Sequence, residues 1–175
     1  LDNVYNTLHA YILGMRGDGT VFIPQVVVYD KKTKIAGTAD IVGITPKGRI
    51  KIIDLKTSKT AYASTASEQY KRQWNLQNDS LLKQAGVDRL STRAKHATQV
   101  NMYRRMFENM GYEVETGPNS ATTFHIHVDI SGTGKNQKFL GTYRIDGRGI
   151  VNHAPSLNED YVNKLIPLNV DVIQK

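Results

Sequence analysis

The stretch 35-IAGTADIVGITPKGRIKIIDLKTSK-59 places two aspartates and a lysine among apolar residues that alternate as they do in β-strands. Its centre, 45-TPKG-48, is a turn sequence. Proline suits the first central position of a turn, and glycine suits the left-handed position of a three-residue hairpin loop. Such a loop pairs Thr45 with Arg49. Two antiparallel strands are therefore predicted, one on each side of the loop.

The register of this hairpin is expected to bring two acidic side chains together. Counting outward from the loop, Asp40 lies opposite Asp54, and Lys56 follows on the same face. Opposed Cβ atoms are only about 5 Å apart, where two carboxylates repel unless one is protonated or a cation lies between them. We expect Mg²⁺ or Mn²⁺, because these ions prefer oxygen ligands and need few from the protein. Apolar residues share the same predicted face, namely Val42, Ile44, Ile50 and Ile52.

Lys56 points to a reaction class. Beside a metal-bound water, its ammonium group could orient the nucleophile or stabilise charge developing on a phosphate. This geometry favours hydrolysis of a phosphate ester. The alternative is an ordinary salt bridge at the rim of the sheet, which would contribute little to stability. Spacing alone leaves both interpretations open.

The rest of the chain predicts a single α/β domain, residues 1–175, with a central mixed sheet and helices packed on it. Helices are predicted at 2–13, from Thr65 to about residue 85, at 92–110, and after Ser156. Strands are predicted at 22–30, on both sides of the 45–48 turn, at 122–130 and at 138–147. Gly14, Gly17 and Gly19 are expected to break the first helix, Gly86 to end the second and Gly111 the third.

Composition narrows the classes of function. Lysine and arginine outnumber aspartate and glutamate by 23 to 16, so nucleic acid is an expected partner, although a merely basic soluble protein fits equally well. The chain has no cysteine, which excludes disulfides, thiolate-bound zinc and iron–sulfur clusters. No apolar run approaches the ~20 residues of a membrane span. An intracellular location is expected, and the start at Leu1 suggests a piece of a longer polypeptide.

Three short motifs resemble those of the RecB-like branch of the PD-(D/E)XK nuclease superfamily. Residues 37–40 resemble its GxxD motif, residues 54–57 its DxKT motif, and residues 99–103 its QxxxY motif. They follow the family's order on the expected strand, strand and helix, within about residues 20–112. The resemblance implies a restriction-endonuclease-like core and a metal-dependent deoxyribonuclease. We expect an exonuclease of DNA repair, recombination or phage DNA processing, with endonuclease cutting left open.

The resemblance also implies roles for single residues. The catalytic set is Asp40, Asp54, Lys56, Gln99 and Tyr103, although Tyr103 fits a core aromatic equally well. The metal set is Asp40, Asp54, Leu55 and His9, the last being the only histidine before the GxxD motif. Nucleic-acid contacts are expected from Thr57, Ser58, Lys59 and Arg104. His125 and His127 share a strand face, but no third ligand is evident, and a packed or solvated pair is expected.

One departure from the family opens an alternative function. Gln25 occupies a position on the first strand where relatives commonly place a glutamate, and a glutamine there would weaken a metal site. The alternative is a catalytically silent module that binds DNA or assembles with other domains, a helicase or a replication partner. Without cysteine, the chain is more similar to cluster-free members, such as phage-encoded exonucleases, and a cytoplasmic or nucleoid-associated location is expected. In a third reading the hairpin is structural and the motif match is accidental.

Overall fold

The computed structural model describes residues 2–58, 92–116, 121–131, 134–136, 138–144, 151–153, 157 and 159–169. In these ranges the helices are α1 (Asp2–Arg16), α2 (Thr92–Asn109) and α3 (Glu159–Leu165), with a 3₁₀ turn at Gly134–Asn136. The strands are β1 (Val21–Asp30), β2 (Ile35–Ile44), β3 (Ile50–Ser58), β4 (Ala121–Ser131), β5 (Lys138–Arg144) and β6 (Val151–His153). The predicted helix starting at Thr65 lies outside the described residues.

The strands form one mixed sheet, which confirms the predicted α/β class. Their order is β1-β2-β3-β4-β5, and β6 pairs with the part of β4 that β5 leaves open. Among the described strands, only β3 and β4 run parallel to each other. A parallel pair needs a long crossover connection, and α2 lies within the connection between these two strands. The short strand β6 was not predicted from the sequence.

The β2–β3 hairpin has the predicted loop. The Thr45 N–H donates to the Arg49 carbonyl at 2.9 Å, and the Gly48 N–H donates to the Thr45 carbonyl at 2.8 Å. Gly48 takes φ +75°, the left-handed conformation that the loop requires. The resulting register pairs Ile44 with Ile50 and continues outward from there.

The ends of the two longer helices test the glycine predictions. The helix α1 passes Gly14 and ends at Arg16, directly before Gly17, so the predicted boundary at residue 13 is three residues too early; an isolated glycine weakens a helix without having to end it. The prediction for α2 is confirmed. Gly111 takes φ +90°, and the Tyr112 N–H donates back to the Phe107 carbonyl at 3.0 Å, as in a glycine-terminated helix.

The core lies between α2 and the sheet. Buried apolar side chains of α2 pack against those of the first three strands; the cluster contains Val28, Ala39, Val42, Ile50, Ile52, Val100, Tyr103, Met106, Phe107, Ala121 and Ile166. Full burial of one such large side chain contributes roughly 1.5–3 kcal/mol. A second cluster, in which Tyr161 and Val162 of α3 meet Ala97, holds α3 near the start of α2. Among the described helices, none is both long and apolar enough to cross a membrane.

Candidate active site

The β1–β2 ladder is interrupted at one position, where Gln25 faces Asp40. The pairs on both sides of this position are formed. Gln25 itself has φ +54°, a left-handed conformation that is uncommon for a residue with a side chain. The side chain of Gln25 is exposed, so it does not reach into the core. The interruption therefore lies directly beside the first predicted catalytic aspartate.

The alternation of β2 changes at this interruption. Ala39 and Val42 both belong to the core cluster under α2, although residues three apart on a regular strand point to opposite faces. Gly37 faces Tyr103 of α2, whereas Gly43 faces Phe22 instead. The change of face between residues 39 and 42 falls on Asp40. A one-residue irregularity of this kind is how a strand redirects a single side chain.

Asp40 makes its hydrogen bond to the main chain of β3. The regular β2–β3 ladder ends at Ile41 and Ile53, one pair before the predicted pair of aspartates. Beyond that point the Asp40 carboxylate accepts a hydrogen bond from the Leu55 N–H at 2.7 Å. The predicted register is thus right as far as Ile41, but Asp40 turns toward Leu55 instead of forming a ladder pair with Asp54. This bond fixes the direction of the carboxylate.

Asp54 is a buried carboxylate beside a lysine. Its side chain is 2% exposed, and the Lys56 Nζ lies 2.8 Å from its Oδ2. This distance is that of an ion pair, but the angles fit no hydrogen bond, so the buried Oδ2 has no aligned donor among the described residues. Burial raises the pKa of Asp54, the Lys56 ammonium opposes the shift, and the negative charge of Asp40 adds to it. The two aspartates are therefore close enough to influence each other, and Lys56 forms an ion pair with Asp54.

A chain of hydrogen bonds leads from Lys56 to α2. The Lys56 Nζ donates to the Gln99 Oε1 at 2.7 Å, and the Gln99 Nε2 donates to the Tyr103 hydroxyl at 2.8 Å. Gln99 and Tyr103 are one helical turn apart, so both reach the same side of α2. The side-chain amide fixes the lysine from one end and the tyrosine from the other. Tyr103 is also a buried core residue, 7% exposed, and so fills both of the roles considered for it.

Gly37 makes room for this arrangement. A Cβ atom on Gly37 would lie 2.6 Å from the Cε1 of Tyr103 and 3.1 Å from its hydroxyl oxygen. No larger residue fits there without moving the ring. The three sequence motifs therefore converge in space: Gly37 seats Tyr103, Tyr103 and Gln99 hold Lys56, and Lys56 faces Asp54. No pattern in the sequence predicted the contact between Gly37 and Tyr103.

The chemistry of this donor set suits a small hard cation. In the described part of the chain, no group of three or more histidine, aspartate and glutamate side chains is placed to hold a metal. Mg²⁺ commonly uses one or two protein carboxylates and takes its other ligands from water and substrate phosphates. Asp40 and Asp54 meet that requirement, and the buried Asp54 Oδ2 lacks an aligned donor. Leu55 would contribute its main-chain carbonyl.

The remaining metal-binding prediction concerns His9. This residue is exposed on α1, and its ring stacks on that of Tyr5 with centroids 5.4 Å apart. The structure does not gather it into a ligand group with Asp40 and Asp54. Its role as a ligand stays a prediction without geometric support.

The predicted nucleic-acid contacts fall into two places. Thr57 and Ser58 are the last residues of β3, where their main chains pair with Ile126 and His127 of β4. Lys59 lies outside the described residues. In the same parallel ladder, Lys56 is in register with His125. The contacts from residues 57–59 remain predictions.

Arg104 is committed to other partners. It donates to Glu108 at 2.7 Å and to Glu159 of α3 at 2.5 Å. Its neighbour Arg105, 2% exposed, pairs with the same two glutamates and donates to Asn163. The two arginines thus tie α2 to α3, and this pairing does not favour phosphate binding by Arg104. The spacing of Arg104 and Arg105 to Glu108 was a local signal for these ion pairs.

A comparison with known protein families, with curated proteins and with solved structures finds no match to this chain. The geometry of the site and the three motifs are therefore the grounds on which its function is inferred.

Proposed function

We propose that this protein is a Mg²⁺- or Mn²⁺-dependent deoxyribonuclease with a restriction-endonuclease-like core, acting as an exonuclease on DNA inside the cell. One observation carries the proposal: residues of all three motifs, far apart in sequence, meet in a single connected network. A salt bridge at the rim of the sheet would require neither the hydrogen bonds from Lys56 to Gln99 and from Gln99 to Tyr103 nor a glycine against the Tyr103 ring. The buried carboxylate of Asp54, at the end of this network, fits a catalytic site better than a structural one. Burial of a carboxylate lowers the stability of the fold, so a purely structural role would not favour it.

In this proposal Asp40, Asp54 and the Leu55 carbonyl hold the divalent ion. When bound, it would supply Lewis-acid stabilisation and an activated water for attack on phosphorus. The hydrogen bond from the Leu55 N–H holds the Asp40 carboxylate against the main chain of β3, one residue after Asp54. Burial of Asp54 keeps bulk water away from it, which strengthens its interaction with any nearby charge.

Lys56 is the residue proposed to act on the phosphate. Its ammonium group now neutralises Asp54, at 2.8 Å. With a bound ion neutralising the carboxylates, the remaining donors of Lys56 would be available to the phosphate and would stabilise the charge that develops there. Gln99 continues to accept one hydrogen bond from the Lys56 ammonium group, so this group keeps its place. Gln99 and Tyr103 are positioning residues in this scheme.

The second candidate function is a catalytically silent nuclease-fold module that binds DNA or assembles with other domains or with a helicase or replication partner. Gln25 favours it, because this residue lies beside Asp40 but is exposed and carries no charge. A silent module would retain DNA binding while its two aspartates bound no metal.

The test is digestion of labelled linear and circular DNA by the purified chain with Mg²⁺, Mn²⁺ or chelator. The proposal predicts metal-dependent degradation that Asp54→Asn and Lys56→Met abolish, with circular DNA spared by an exonuclease. Matched controls are Asp18→Asn and Lys47→Met, which remove an exposed charge of each sign elsewhere on the surface. Degradation that persists in Asp54→Asn would refute this site, and absence of cleavage with retained DNA binding would favour the silent module.

A further inference from the structure

A cavity of about 320 Å³ lies where β1 ends and α2 ends. Its lining residues come from the β1–β2 turn, the C-terminal end of α2 and the segment after α3: Tyr29, Asp30, Lys31, Lys32, Asn109, Met110, Tyr112 and Asn169. The volume is at the lower end of the ~300–1,000 Å³ range typical of small-molecule sites. It would hold one nucleotide-sized group.

The rim of this cavity exposes large apolar side chains. Tyr29 is 42% exposed, Tyr112 49% and Met110 36%, and all three line the same cavity. Tyr112 is held from behind by an edge-to-face contact with Phe107, with ring centroids 6.0 Å apart. Exposed tyrosines that are fixed in place are the usual platforms on which nucleic-acid bases stack.

The charge beside these rings is positive. Lys31 and Lys32 are exposed, and neither forms an ion pair within the described part of the chain. The cavity also contains Asp30, but its carboxylate is buried and already accepts hydrogen bonds from Thr33 and Asn109. Two free ammonium groups next to two aromatic rings match the phosphate and the base of one nucleotide.

The distance from this cavity to the proposed active site can be estimated along two elements, β2 and α2. From Asp40 to the start of β2 at Ile35 is five residues, roughly 17 Å of strand. From Gln99 to Asn109 is ten residues, roughly 15 Å of helix. The two paths agree. At about 3.4 Å per nucleotide along one strand, the separation corresponds to four or five nucleotides of B-form spacing, and fewer when the strand is stretched.

We infer that this cavity, hereafter the tyrosine–lysine pocket, binds one nucleotide of a single nucleic-acid strand, with the base on Tyr29 or Tyr112 and a phosphate on Lys31 and Lys32. The inference rests on the proposed function for the identification of the strand as DNA. A duplex does not suit the pocket, because its bases are stacked on each other and their faces are not accessible. The pocket therefore holds the strand at most four or five nucleotides from the site of cleavage.

The experiment is a fluorescence anisotropy titration of the full chain with a labelled 12-nucleotide single strand, in chelator so that no cleavage occurs. Tyr29→Ala/Tyr112→Ala is expected to weaken binding at least about fivefold, whereas Tyr29→Phe/Tyr112→Phe, which keeps both rings, binds like wild type. Lys31→Ala/Lys32→Ala is expected to lower the slope of log affinity against log salt by about 0.7, because the one phosphate held by the two lysines is lost. Lys47→Ala/Lys138→Ala removes the same charge elsewhere and is expected to lower it less.

The outcomes separate this inference from the proposed function. Unchanged single-strand binding in both the Tyr29→Ala/Tyr112→Ala and the Lys31→Ala/Lys32→Ala variants would overturn the pocket, as would an equal loss for a 12-base-pair duplex. Thermal melting confirms that each variant is folded. Tighter binding of a 12-nucleotide RNA than of the DNA would overturn the assignment to DNA. Pocket-dependent binding without any metal-dependent cleavage would uphold the pocket and refute the nuclease.

Discussion

The ring of Tyr103 lies against the bare Cα of Gly37, so close that a Cβ there would stand 2.6 Å from the Cε1 of the ring. This contact joins α2 to β2 three residues before Asp40. The ring can reach this depth only because residue 37 has no side chain. Its hydroxyl then meets Gln99, which holds Lys56. A glycine that touches neither metal nor DNA thus sets the position of the proposed catalytic lysine.

Gly37→Ala is expected to displace the Tyr103 ring from its position against residue 37. The added methyl group overpacks a filled site, so we expect a loss of about 1–3 kcal/mol in the free energy of unfolding by urea denaturation. Displacement of the network should also lower metal-dependent cleavage by roughly 10–100-fold. The control is Gly14→Ala in α1, where a Cβ would meet nothing within 4 Å and alanine favours the helix. Equal effects of the two substitutions would contradict the seating role.

Gln99 is expected to affect the reaction far more than the stability. Gln99→Leu removes the acceptor for Lys56 and the donor to Tyr103, and we expect a 10–100-fold slower single-turnover cleavage at a cost near 1 kcal/mol in stability. Tyr103→Phe leaves the contact between Gln99 and Lys56 in place, so its rate should fall by less than about tenfold. A larger loss in Tyr103→Phe than in Gln99→Leu would show that the lysine is not positioned through the glutamine.

The left-handed backbone at Gln25 is expected to control the direction of Asp40. Gln25→Val places a β-branched residue in that conformation, so we expect a loss of about 1–2 kcal/mol in stability together with weaker metal binding. Gln25→Asn is the matched variant, because asparagine tolerates positive φ and should keep both properties. Denaturation and Mn²⁺ titration of the two proteins give the comparison. Normal metal affinity in Gln25→Val would show that the irregular position has no bearing on Asp40.

Asp30 is expected to make stability depend on pH. Burial acts to raise the pKa of Asp30, but hydrogen bonds from Thr33, Asn109 and the main chain together lower it below its ordinary value of 3.8. A lowered pKa in the folded state adds stability above the unfolded value, and that stability is lost as pH falls through the folded value. Asp30→Ala should therefore be about 2–3 kcal/mol less stable than wild type at pH 5.

The difference between wild type and Asp30→Ala should narrow only as the pH falls below 3.8 toward the lowered pKa. Urea denaturation of both proteins across this range measures it. A constant difference at every pH would mean that packing, not the charge of Asp30, accounts for the loss.

The hairpin and the helical spacing of Gln99 and Tyr103 could be predicted from the sequence, because both depend on local geometry. The turn residues fixed the loop, and the loop fixed the register as far as Ile41. The left-handed conformation of Gln25 could not be predicted, since it is imposed by the neighbouring strand and not by glutamine itself. The direction of the Asp40 side chain toward Leu55 could not be predicted either, because it depends on this irregularity, and a regularly alternating strand has none.

The ion-pair partners of Arg104 and Arg105 also depend on contacts that the local sequence does not predict. Arg104 was expected to contact a phosphate, because it is one of two adjacent basic residues on a helix. Glu108 is a local partner, but Glu159 lies 55 residues away from Arg104 in sequence, and only the packing of α3 on α2 brings it there. Contacts between distant elements decide which surface charges are available to a ligand.

Asp40 and Asp54 are proposed to form a divalent metal site, and Lys56 is the cation beside Asp54 when the ion is absent. Titration of Mn²⁺ by electron paramagnetic resonance, with and without a short single-stranded oligonucleotide, tests it most directly. We predict one strongly bound Mn²⁺ per wild-type chain when DNA is present, and an affinity lower by at least about tenfold in Asp54→Asn. Equal binding by wild type and Asp54→Asn, or no binding in either condition, would contradict the account.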